Sequence, residues 1–127
     1  MEGRDSYVGP ELEAVVFQTS SSYPPTATLL WFPGSGQRCD NELLRRLVNA
    51  LHTAGASLRV IGVKGQQALS SALRLCPEGL PLLVGGHSMG GGTAAVLASG
   101  RGSLLNVPVT VFSGLVTVNA VESWEQC

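Results

Sequence analysis

Gly86-His87-Ser88-Met89-Gly90 sets a serine hydroxyl between two glycines in G-x-S-x-G spacing. The chemistry that spacing serves is acyl transfer. A serine can attack an acyl carbon only if its hydroxyl stands clear of the surrounding backbone. A sharp strand-to-helix turn achieves this by holding the serine in a strained conformation. Side chains at Gly86 or Gly90 would then collide with the neighbouring strand or helix. The setting fits, because an apolar run, Leu80–Val84, leads in as a strand and Gly91–Ser99 leads out as a helix of small residues. Such a helix packs close to a sheet. Its N-terminus puts partial positive charge beside the serine, where an anion is favoured.

Acyl transfer also needs two N–H donors for the developing oxyanion. Met89, directly after the serine, supplies one. The other must come from a loop after an earlier strand. Pro33-Gly34-Ser35-Gly36-Gln37 has that place, just past the apolar run Thr26–Phe32. Ser35 N–H is the first choice and Gly36 N–H the second.

The elements that must carry these residues are legible as periodicities. Residues 1–11 read as a polar lead-in, and residues 12–127 as one partial domain. Leu12–Thr19 and Thr26–Phe32 read as strands. Asp40 or Asn41 can cap a helix on which Leu43, Leu44, Leu47, Val48 and Leu51 share one face. Gly55 suits its end. Leu58–Val63 is a further strand, and Gln66–Cys76 a shorter helix stopped by Pro77. Leu80–Val84 and Val107–Phe112 complete the strands, while Leu115–Val121 is ambiguous. Strands alternating with helices predict an α/β fold: a three-layer sandwich around a mostly parallel sheet of about five strands.

GGHSMGGGTAA with the upstream PGSG loop resembles the α/β-hydrolase superfamily, in its esterase and lipase-like branches. The resemblance covers about residues 12–113. It implies a nucleophile after the fifth strand, so Leu80–Val84 would be that strand and Val107–Phe112 the sixth. It implies Ser88 as nucleophile toward a carboxylic ester or related small acyl substrate, with no metal or organic cofactor. The family's oxyanion loop more often begins His-Gly, and here it begins Pro33-Gly34. The family usually has two strands before Thr26–Phe32, and only one is apparent.

The family's acid and histidine follow the serine. After Ser88 the sequence has no Asp and no His, and Glu122 and Glu125 are its only carboxylates there. The side chain of His87 is expected to point away from the Ser88 hydroxyl and to pack or support its neighbours. His52 falls late in the first helix, far from the strand tips. A serine without a base is a poor nucleophile at neutral pH. The expectation is therefore a hydrolase-like chain truncated after the sixth strand, weak or inactive as it stands. Val107–Phe112 would be its exposed edge, open to self-association.

Composition narrows the alternatives. The 127 residues are 44% hydrophobic and 13% charged, with 16 glycines and a net charge of -1. That balance argues against a nucleic-acid partner. No apolar run approaches a membrane span. Three widely spaced cysteines, Cys39, Cys76 and Cys127, suggest neither a zinc site nor a disulfide framework. A cytoplasmic setting is the expectation. A catalytically silent hydrolase-fold binding protein is the main alternative. A nucleotide loop of the short-chain dehydrogenase type also fits Gly86-x-x-x-Gly90-x-Gly92. That loop belongs after a first strand, however, and Tyr7 and Tyr23 lack the lysine four residues on that the family uses.

Overall fold

Apolar runs bounded by turn residues form most of the sheet, and the most apolar of them lies at its centre. The computed structural model describes residues 4–7, 14–64, 72–100 and 112–118. Among these are strands β1 (Arg4–Tyr7), β2 (Ala14–Gln18), β3 (Ala27–Phe32), β4 (Leu58–Val63), β5 (Leu82–His87) and β6 (Gly114–Val118). Helices α1 (Glu42–Thr53) and α2 (Met89–Ala98) follow β3 and β5. Residues 72–74 are also helical. The strand order is β1-β2-β4-β3-β5-β6.

The fold is thus α/β, around a mixed sheet in which three of the five strand pairings are parallel. β3 runs parallel to both β4 and β5, and β5 parallel to β6. β2 runs antiparallel to β1 and to β4. Every residue of β3 is buried. Successive side chains of a strand point to opposite faces. Accordingly Leu29 and Trp31 join Val15, Phe17, Val60 and the α1 residues Leu44 and Val48 in one core cluster. Leu30 and Phe32 join Val16, Ile61, Val63 and Val84, with Ala94 and Leu97 of α2, in another.

The start of α1 is fixed by its cap. Asn41 Oδ1 accepts from the Leu44 N–H at 3.1 Å, and Asn41 Nδ2 donates to the Arg38 carbonyl at 2.7 Å. Asp40, the other candidate cap, turns elsewhere. Its carboxylate takes Arg38 Nε at 2.9 Å and the Arg45 guanidinium at 3.3 Å. Gly55, one residue past the C-cap Ala54, has φ +81.

Several expectations need correction. Arg4–Tyr7, inside the stretch expected to be a polar lead-in, is a strand paired with β2. Two strands therefore precede β3. The strand before Ser88 spans Leu82–His87, where Leu80–Val84 was expected. The partner of β5 is Gly114–Val118, where Val107–Phe112 was expected. Residues 107–111 lie outside the described residues, and Phe112 is not in a strand. Ser113 N–H closes on the Leu82 carbonyl at 2.7 Å and starts the true pairing. Of the helix expected over 66–76, residues 66–71 lie outside the described residues; Leu75 and Cys76 N–H groups bond back to Ala72 and Leu73.

Candidate functional site

β5 passes into α2 through a single residue, Ser88. Its backbone has φ 58 and ψ -118, and it is the only non-glycine among the described residues with positive φ. That conformation is costly for a residue with a Cβ and persists only where its surroundings over-determine it. Three features do so. A Cβ at Gly86 would strike the backbone of Gly90, and one at Gly90 would strike the Phe32 carbonyl. The two glycines let strand, turn and helix pack without side chains between them. Ser88 N–H donates to Val118 O at 3.0 Å, so the end of β6 holds the turn. Gly91 and Gly92 N–H groups close on the Ser88 carbonyl at 2.9 and 3.3 Å.

Ser88 occupies the N-cap position of α2. A serine there ordinarily spends its hydroxyl on an N–H of the first turn. Ser88 makes no such bond. Its half-buried side chain is thus released from the structural task its position would give it. Met89, the first residue of the helix, has an N–H with no acceptor inside that helix. A free hydroxyl and an orphan donor lie on adjacent residues at a helix N-terminus.

The glycine loop leaves the sheet at the same end. Phe32 of β3 and Gly86 of β5 are register partners. Beyond them, Gly34–Gln37 forms a tight turn in which Gln37 N–H donates to Gly34 O at 3.0 Å. Gly36, third in the turn, has φ +81, as a type II turn requires. Ser35 and Gly36 are exposed at its tip. The side chain of Gln37 curls back, and its Oε1 accepts from Gly34 N–H at 2.7 Å. His87 Nδ1 lies 3.2 Å from the same oxygen. The loop and the serine turn are therefore joined through His87 and Gln37. The role of Gln37 was not legible, since a glutamine in a loop carries no spacing signal.

His52 is committed elsewhere. Its Nδ1 lies 2.7 Å from the Thr19 carbonyl, so that nitrogen is the donor. Trp31 and Phe32, at the end of β3, are 1% and 5% exposed and belong to the two core clusters. Glu122 and Glu125 lie outside the described residues. Burial pushes the Cys76 thiol up to about 11, against a smaller opposing pull from Arg59. Cys76 packs against the core and donates to the Ala72 carbonyl at 3.5 Å. Among the described residues no cluster of His, Cys, Asp or Glu could hold a metal ion. None of their helices is long and apolar enough to cross a membrane.

Comparison with protein-family models and with curated proteins finds no match.

Proposed function

We propose that this chain is an α/β-hydrolase-like protein, a three-layer sandwich in which Ser88 is the nucleophile toward carboxylic esters or related acyl substrates. The observation that carries the reading is the backbone of Ser88: a non-glycine at φ 58 and ψ -118, between two glycines that admit no Cβ, with its hydroxyl unused as a cap. Two strands before β3 and a serine after the fifth strand support the same family resemblance. In the proposed reaction the Ser88 oxygen attacks the acyl carbon. Met89 N–H and the Ser35 N–H, with Gly36 as alternate, bind the oxyanion. The loop supports that role by standing at the same sheet end as the serine.

The base is the weak term. His52 donates to a carbonyl on another part of the fold, and His87 is engaged with Gln37. Oxyanion donors without a base leave only residual catalysis. The 127-residue chain is therefore proposed to be weak or inactive by itself. The same two histidine contacts favour a second reading, a silent hydrolase fold that binds without turnover. Self-association through the apolar edge of β6 is part of either proposal.

Fluorophosphonate labelling of the chain, beside Ser88→Ala, separates the two. Slow labelling that disappears in the variant supports an activated serine. A folded chain that takes no label at all supports the silent fold and removes the enzyme reading.

A further inference from the structure

The contact between His87 and Gln37 does more than fill space. Gln37 Oε1 accepts from Gly34 N–H at 2.7 Å. A backbone N–H can only donate, so the atom facing it is the amide oxygen and not the amide nitrogen. His87 Nδ1, 3.2 Å from that oxygen, must then carry the proton. The ring is held as the Nδ1–H tautomer. Gln37 and Gly34 meet twice, once through the side chain and once through the backbone bond from Gln37 N–H to Gly34 O at 3.0 Å. The turn is closed on itself, and His87 ties that closed turn to the end of β5. The fit is tight: a Cβ on Gly34 would come within 3.1 Å of both His87 Nδ1 and Gln37 Oε1.

We propose that His87 is a positioning residue whose Nδ1–H and the Gln37 amide latch the Gly34–Gln37 turn, presetting the Ser35 and Gly36 N–H groups as oxyanion donors. This rests on Ser88 being the nucleophile. Donors contribute to an acyl-transfer site only when fixed in place before charge develops. The two central residues of the turn, Ser35 and Gly36, are exposed, and the bonds that hold it lie at Gly34 and Gln37. His87 is well placed to add to those bonds. It sits on the last position of a paired strand, directly before Ser88.

Two measurements test the latch. The first is nitrogen NMR of the His87 ring at a pH where the ring is neutral. The expected result is the Nδ1–H tautomer in the parent chain, and a return to the Nε2–H form that free histidine prefers in Gln37→Ala. A parent ring found as Nε2–H overturns the latch. The second is the rate of fluorophosphonate labelling at Ser88. Gln37→Ala and His87→Leu should each slow it roughly tenfold to a hundredfold, the scale of a small misplacement at a reacting centre. His87→Asn, whose Nδ2 can stand where Nδ1 stood, should recover most of the rate. Equal rates in the parent and both disruptive variants overturn the latch and leave Ser88 intact as nucleophile. A parent that takes no label overturns the Ser88 reading and, with it, any positioning purpose for His87. Gln37 lies on a surface loop, so Gln37→Ala keeps the test alive if His87→Leu does not fold.

Discussion

At the scale of single residues, the backbone of Ser88 makes the sharpest claim. A left-handed φ costs an ordinary residue about 1–2 kcal/mol, a cost glycine escapes. If the packing of Gly86 and Gly90 imposes that φ, Ser88→Gly should be more stable than Ser88→Ala by ~1 kcal/mol in urea unfolding. Equal midpoints would mean the turn relaxes once the serine is gone. The flanking glycines give the converse case. A Cβ at Gly90 meets the Phe32 backbone, which cannot swing aside as a flexible side chain can. Gly90→Ala should therefore cost about 2–3 kcal/mol, as overpacking does. Cys76 adds a test in pH. Its thiol is raised from an ordinary 9.0 to about 11, so the folded chain holds the proton more tightly than the unfolded one. That stabilisation is complete below pH 9.0 and is lost as pH rises through about 11. Alkylation of Cys76 in the native chain should accordingly remain far slower than in urea at pH 9. Equal rates at that pH would show the thiol to be neither buried nor shifted.

At the scale of elements, what could be read early was what a local pattern dictates. α1 is legible because cap, stripe and terminal glycine all agree within one segment. Asn41→Ala removes a cap bond and should cost ~1 kcal/mol. Leu44→Ala opens a hole under a fully buried side chain and should cost ~2–5 kcal/mol. Chemical denaturation of both would check that ordering, and a reversal would mean the helix is held by its cap rather than by its face. β3, β4 and the serine turn were legible for the same reason. The errors at the two sheet edges concern pairing. Arg4–Tyr7 has no apolar run, and only its antiparallel pairing with β2 makes it a strand. Val107–Phe112 looks more apolar than Gly114–Val118, yet the latter takes the place beside β5. Periodicity reports how a segment would like to be buried. It does not report which neighbour is within reach. The latch between Gln37 and His87 was hidden likewise, because it joins residues fifty positions apart.

At the scale of the whole molecule, the sheet is asymmetric about its buried centre. β3, β4 and β2 bury nearly all of their side chains. β6 is the last strand in the order, and Leu115, Val116 and Val118 on it are 45%, 47% and 36% exposed. The exposed-edge expectation thus moves from Val107–Phe112 to Gly114–Val118. An apolar strand with one unpaired side among the described residues offers a ladder of N–H and C=O groups to another chain. Natural sheets suppress such pairing with a charge, often lysine. Val116→Lys puts that charge on an exposed side chain and leaves the Val118 carbonyl free to hold Ser88 N–H. Sedimentation of the parent chain should show mass rising with concentration, and Val116→Lys should hold the monomer across the same range. A parent chain that stays monomeric throughout would remove self-association from the proposal. A variant that associates as the parent does would place the contact somewhere other than β6. Because the end of β6 also fixes the serine turn, the comparison has a second reading. Labelling at Ser88 that is unchanged by Val116→Lys would show that the edge and the turn, although joined by one hydrogen bond, are energetically separate.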